Sequence, residues 1–374
     1  MMGVATPCVA VTAFIPEFRA SRCVRYRFRY SECRRCADAC PHDAVALADE
    51  GVSLDGARCQ NCALCTSACR TEALVPGNLP RIELLKQASR QPGFSFACAP
   101  SQATGDAIVP CLGALGVAAF AYLARRWIPV ELRGTRHCAK CPHGAKGAAQ
   151  LELNLDALER LHDAAKPDEW ATITVDVAAR EEAETVRHLP SRRQLFRRLI
   201  GRGVDEAMRS AAPQAQHPVP EKAIRAGRPF LTAERELLQL VLKTGEEQRS
   251  IALKPHAALP LMQLRLKPGC NACEACFRAC PTGALQVRES STAWALTFEH
   301  DRCVSCGVCS EVCQPKVLYE AEEMNAAPGR EPAILLAMHK QRCGRCGRFF
   351  VSTRPQEECP VCTDDDDAFS AIFG

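Results

Sequence analysis

Between Phe94 and Val177, short apolar runs alternate with longer stretches of helical periodicity. Phe94–Cys98 and Ala107–Val109 read as short strands, Leu115–Arg126 as an apolar helix and Ile128–Leu132 as another strand. Gly147–Ala165 has the spacing of an amphipathic helix, and Ala171–Val177 alternates like a further strand. This strand–helix–strand order predicts a small α/β domain with parallel strands, covering about 91–180. Ala107–Ala124 carries no charge over 18 residues, near the lower length limit of a membrane-spanning helix. Pro110, Cys111 and Gly113 break that stretch and Arg125 and Arg126 close it, so it predicts a buried strand and a buried helix instead. Elsewhere the apolar pattern is thin. Ala44–Ala46 and Ala284–Val287 read as single strands, and Thr232 as the N-cap of a helix over Ala233–Lys243 with charge in its first turn.

Cysteine supplies what the thin pattern lacks. The chain has 25 cysteines among 374 residues, a length sufficient for two to four domains. Their clustered C-x2-C spacings argue for metal thiolates in a reducing compartment rather than for secreted disulfides. Met1–Phe18 lacks a basic leader and contains Pro7, Pro16 and Glu17, so it does not read as a secretory signal. The net charge of +4 is small for this size and does not by itself point to nucleic acid. Its distribution is uneven: seven arginines lie between Arg19 and Arg35 against Glu32 alone, and Asp364–Asp367 form an acidic run. Surfaces of opposite sign steer docking partners; an ordinary solvated face is the alternative.

Cys270, Cys273, Cys276 and Cys280, followed by Pro281, repeat the spacing of Cys303, Cys306, Cys309 and Cys313: C-x2-C-x2-C-x3-C. A disulfide knot or a zinc site does not call for eight cysteines in this order. The spacing resembles the bacterial two-cluster ferredoxin motif, where three cysteines of a run hold one 4Fe-4S cube and the fourth ligates the other. The resemblance implies one cluster on Cys270, Cys273, Cys276 and Cys313 and a second on Cys303, Cys306, Cys309 and Cys280. A first module, roughly 19–80, repeats the theme with a defect. Cys59, Cys62, Cys65 and Cys69 form a complete run, but Cys33, Cys36 and Cys40 lack the first cysteine, and Tyr30 stands in its place. By the same resemblance one cluster takes Cys59, Cys62, Cys65 and Cys40. The other has Cys33, Cys36 and Cys69 and needs a fourth ligand. Cys23 is the nearest candidate, returned by an extended Val24–Tyr30; a three-iron cluster, a non-protein ligand and an empty site are the alternatives, and Cys8 competes from farther away.

In the α/β domain, Cys98, Cys111, Cys138 and Cys141 stand where strands end. With Pro110-Cys111-Leu112-Gly113 they resemble the small iron–sulfur (delta) subunit of methanogen-type hydrogenases linked to heterodisulfide reductase, which implies a 2Fe-2S cluster. A zinc site, a thioredoxin-like Cys138/Cys141 pair and plain buried thiols remain open. In the tail, Cys343, Cys346, Cys359 and Cys362 include Cys346-Gly347 and Cys359-Pro360, knuckles whose backbone amides point at metal-bound sulfur. Their spacing resembles the rubredoxin-like tail of rubrerythrins and equally a zinc ribbon, so the metal is zinc or iron.

The expected fold is α+β and multidomain: two ferredoxin-like modules (19–80 and 263–322) flanking a small α/β domain (91–180), with a linker and helical region (181–262) and a rubredoxin- or zinc-ribbon-like tail (333–374). Ser191–Leu199 has the look of a twin-arginine signal, but its internal position speaks against export; it reads as a basic helix, solvated or docked on an acidic partner or membrane surface. No G-x-G-x-x-G, P-loop or Ser/His/Asp order accompanies the cysteines, and His42 reads as a tuning or surface residue. The expectation is a cytoplasmic electron-transfer polyferredoxin without stand-alone catalysis. It would serve a larger oxidoreductase such as a hydrogenase, a heterodisulfide reductase-like complex or a molybdenum formate dehydrogenase. The alternative is a maturation factor delivering clusters or metal. Nucleic acid is not an expected partner.

Overall fold

The structure, a computed structural model, describes residues 15–165, 170–176, 215–220, 224, 228–243 and 250–364. Cys8, the Ser191–Leu199 segment and all of the acidic run but Asp364 lie outside the described residues. The chain forms two compact units, residues 1–223 with 256–259 and residues 224–255 with 260–374.

The first unit opens with β1 (Glu17–Phe18), β2 (Val45–Ala48), β3 (Gly51–Leu54) and β4 (Leu74–Val75). β2 and β3 form an antiparallel hairpin, while β1 pairs antiparallel with β4. Between them lie three short helical turns: α1 (Val24–Arg27), α2 (Arg35–Asp38) and α3 (Leu64–Ala68). The segment after Cys23 is therefore a helical turn and not the expected extended strand; four residues are too few to show helical periodicity. After α4 (Arg81–Ala88) comes the predicted α/β domain, with β5 (Phe94–Cys98), β6 (Ala107–Val109), α5 (Val117–Arg125), β7 (Val130–Arg133), α6 (Gly144–Ala165) and β8 (Ile173–Val175). The strands pair in the order β6-β5-β7-β8, all parallel. α5 is apolar on nearly every side because it is buried on nearly every side, Val117, Phe120 and Leu123 included. β9 (Ala215–Pro218) then returns to pair antiparallel with β3. The Tyr26 hydroxyl bonds the His217 carbonyl and accepts from the Val52 N–H, which ties α1, β3 and β9 together.

The second unit repeats the hairpin plan of the first. It contains α7 (Ala233–Leu242), β10 (Ala252–Leu253), β11 (Leu264–Leu266), α8 (Ala275–Ala279), β12 (Leu285–Glu289), β13 (Ala293–Phe298), α9 (Val308–Val312), β14 (Leu318–Glu320), β15 (Met324–Asn325), β16 (Ala333–Arg342) and β17 (Phe349–Ser352). β12 and β13 form the hairpin, β11 pairs with β14, and a later strand, β16, extends the hairpin from β13 as β9 extends β3. β17 continues that sheet, so the tail cysteines hang from the same sheet as the β12–β13 hairpin. α7 is capped as expected, with Thr232 Oγ1 accepting from the Arg235 N–H. Trp294, Leu296, Phe298, Leu264 and Leu285 pack with Cys280, Cys309 and Cys313, so the ligand thiols are part of the core.

Candidate metal centres

All four cysteine runs end in the same turn. Asp43, Glu72, Gly283 and Lys316, each three residues past the last cysteine of its run, have left-handed φ of 49°, 50°, 72° and 53°. Each is followed two residues later by a strand (β2, β4, β12 and β14). The Ala44 N–H donates to Cys40 Sγ at 3.3 Å and the Ala73 N–H to Cys69 Sγ at 3.2 Å, the same bond in both halves of the first module. The three complete runs also share left-handed residues on either side of their second cysteine: Asn61 and Ala63, Ala272 and Glu274, Ser305 and Gly307. Successive turns of this kind point backbone N–H groups inward, as anion-binding loops do. The run that begins at Tyr30 departs from them. Arg34 has φ −125°, and Tyr30 is 79% exposed, pointing away from any ligand role.

The thiols lie in neighbouring groups. Burial, then charge on Cys69, Cys23 and Cys33, pushes the Cys36 thiol up to about 12, and Cys23 rises to about 11 for the same reasons. Cys23 thus stands with Cys33, Cys36 and Cys69. Burial, then Cys62, Cys40 and Cys59, raises Cys65 well above the ordinary thiol range. In the second unit burial raises Cys276 to about 12, with Cys270, Cys273 and Cys313 as its charged neighbours. Cys303 also rises to about 12 by burial, beside Cys306 and Cys280, and Cys309 is raised by burial and by Cys303 and Cys280. Grouped thiols, some of them raised by burial, need a cationic centre among them to become thiolates, which fits an iron–sulfur cube. The sets also touch one another: Cys65 feels Cys36, and Cys309 feels Cys276.

The four cysteines of the α/β domain line one cavity, together with Pro100, Pro110 and His143. Cys98 ends β5, Cys111 follows β6, and Cys138 and Cys141 follow β7, so all lie at the carboxyl ends of the parallel strands, where ligands of such sheets bind. Gly134 stands at φ +96°, and a Cβ there would clash with the Ser101 side chain and lie 3.1 Å from Cys98 Sγ. Asp176, just past β8, fixes the cysteine-bearing turn by accepting from the Gly134 N–H (2.8 Å), Thr135 Oγ1 (2.5 Å) and the Arg136 N–H (2.8 Å). The sequence reading did not pick out Asp176.

This cavity adjoins the first module. Burial, with charge on Cys62, Cys138 and Cys141, pushes Cys111 up to about 12. Lys146 Nζ donates to the Cys40 carbonyl at 2.7 Å. His42 Nε2 and His143 Nδ1 are 3.1 Å apart, and nitrogens of both lie within 4.8 Å of Cys62 Sγ. His42 is thus partnered by His143 and stands beside Cys62. His143 was missed, although Cys40-Pro41-His42 and Cys141-Pro142-His143 are the same tripeptide and could have revealed it.

In the tail, Cys343 and Cys362 sulfurs are 3.9 Å apart and those of Cys346 and Cys359 3.7 Å apart. Tetrahedral thiolates at about 2.3 Å from one ion stand about 3.8 Å from each other. The set is therefore sized for a single metal ion. Backbone N–H groups of Cys346, Cys359 and Arg345 aim at Cys343 Sγ and hold its thiol down to about 6, as the knuckle pattern requires. Phe350 packs against the site, whereas Phe349 is exposed.

Residues 269–317 match the family described as the 4Fe-4S dicluster domain. The chain carries a ferredoxin-type domain. The chain also shares 41% identity over 49 residues with the polyferredoxin protein MvhB of Methanothermobacter marburgensis, a match covering 12% of either chain. 4Fe-4S binding and electron transport are the properties of this domain, and it holds the eight cysteines of the C-terminal sets. No solved structure matches the chain. No helix among the described residues is long and apolar enough to cross a membrane.

Proposed function

We propose that the chain is a cytoplasmic polyferredoxin that relays single electrons as a subunit or partner of a larger oxidoreductase, such as a hydrogenase, a heterodisulfide reductase-like complex or a molybdenum formate dehydrogenase. The observation that carries this reading is the adjacency of the ligand sets. Cys36 neighbours Cys65, and Cys62 in turn neighbours Cys111. In this reading the first unit holds a line of three centres: a cube on Cys23, Cys33, Cys36 and Cys69, a cube on Cys40, Cys59, Cys62 and Cys65, and an iron–sulfur centre on Cys98, Cys111, Cys138 and Cys141. A bound cube supplies one-electron redox chemistry without gaining or losing atoms. The protein's part is to bury the thiolates, aim N–H groups at sulfur and hold neighbouring sets close. The tail site, for zinc or iron, is structural in this reading.

The test is the iron, sulfide and zinc content of anaerobically purified protein, with electron paramagnetic resonance before and after dithionite. About sixteen to nineteen irons with matching sulfide, and interacting reduced centres, are expected. Eight irons or fewer, or clusters that a chelator strips from the N-terminal module, would favour a carrier that matures another enzyme. The exposed Tyr30 at the incomplete run is the observation behind that second reading.

A further inference from the structure

Arg235 is 1% exposed, the largest fully buried side chain among the described residues. It projects from the first turn of α7 into the loop that precedes Cys303. Its Nε donates to the Asp301 carbonyl at 3.1 Å, and its Nη2 donates to the His300 carbonyl at 2.9 Å. The same His300 carbonyl accepts the Cys303 N–H at 3.0 Å, so one oxygen links the guanidinium to the ligand residue. Gln239, one turn along α7, also donates to the Asp301 carbonyl, at 2.8 Å.

The charges around this point do not cancel. Asp301 Oδ1 lies 3.7 Å from Arg235 Nη2, but Arg330 adds a second guanidinium that Asp301 also attracts. Arg302 is matched by Glu299 at 2.8 Å. The guanidinium can only donate, and its Nη2 gives a hydrogen bond to His300 Nδ1 at 3.1 Å, so that ring nitrogen carries no proton. Two cations therefore face one carboxylate in a largely buried setting. The neighbouring set differs. Glu274, between Cys273 and Cys276, lines the cavity bounded by Cys270, Cys273, Cys276 and Cys313 and is paired with the exposed Arg278 at 2.7 Å, so this set has no buried excess of cations; the matching residue of the other run is Gly307. Cys273 itself is exposed.

We propose that Arg235, supported by Arg330, raises the reduction potential of the cube on Cys303, Cys306, Cys309 and Cys280 above that of the cube on Cys270, Cys273, Cys276 and Cys313, making it the electron sink of this domain. The inference rests on both cubes being redox centres. One electron passes from a one-electron donor to the centre beside Cys303; no bond breaks and no proton moves. The negative charge there grows by one, and a fixed buried cation favours that state electrostatically. Arginine suits the task because it stays charged where a lysine would more readily lose its proton on burial.

The experiment is a potentiometric titration of the full chain followed by electron paramagnetic resonance, with iron and sulfide measured for each variant. The signal lost in Cys306→Ser identifies the first cube and that lost in Cys273→Ser the second. Arg235→Gln should lower the Cys306-dependent midpoint by at least 59 mV, a tenfold change in the one-electron equilibrium, and leave the Cys273-dependent one in place. Arg235→Lys should give a midpoint between those of Arg235→Gln and the wild type. Full iron with unchanged midpoints, or equal shifts in both cubes, would overturn the inference. If Arg235→Gln fails to load its cubes, the less buried Arg330→Gln decides: a smaller shift in the same direction and the same cube upholds it, and no shift overturns it. Absence of cubes from the wild-type protein would instead defeat the electron-transfer reading itself.

Discussion

On the proposed reading, Cys23 is a ligand recruited from outside a motif. It sits at the mouth of α1, half-buried beside Cys33, Cys36 and Cys69, while Tyr30 at the motif's own position faces solvent. Cys23→Ala should remove iron from one cluster and leave the rest unchanged, as read by iron content and by the spectrum of the reduced protein. Adding Tyr30→Cys should not restore the loss. A cysteine there would start on the wrong side of the loop, whose Arg34 lacks the left-handed turn that the complete runs share. Recovery of the full iron content in that double variant would show that the loop rearranges to suit its ligand.

Among the elements, α6 carries a second prediction. Gly147 lies inside this helix, where alanine would ordinarily stabilise by about 1 kcal/mol. A Cβ there would stand 3.0 Å from Cys111 Sγ, tighter than sulfur and carbon tolerate without movement. Gly147→Ala should therefore leave thermal stability nearly as it is and weaken metal binding at the α/β site, checked by metal analysis beside a melting curve. Most of the elements were legible in the sequence for a plain reason: a cysteine spacing fixes the length of a loop, and apolar periodicity fixes β5 to β8 and their helices. The exit turns were not. Asp43, Glu72, Gly283 and Lys316 share a conformation but no chemistry, so nothing in their side chains announces it. Asp176 and Arg235 were equally silent, because each acts on a cysteine loop far from it in sequence. Tertiary contact, not local pattern, gives them their roles.

At the scale of the whole molecule, each ligand set among the described residues draws its cysteines from one unit only. Cys276→Ser should therefore weaken one C-terminal cluster and leave the clusters of the first unit intact. Loss of iron throughout the protein in that variant would show that the units assemble cooperatively. Within the first unit, the antiparallel pairing of β3 with β9 bridges a long interval of chain, from Leu54 to Ala215. A ribosome adds roughly 5–20 residues per second, so the final strand of this sheet emerges on the order of ten seconds after its partner. Through that interval Tyr26 lacks its His217 carbonyl and one edge of β3 lies bare. The first module precedes the α/β domain along the chain yet cannot be finished before it, so its cysteine loops must wait on a half-made sheet.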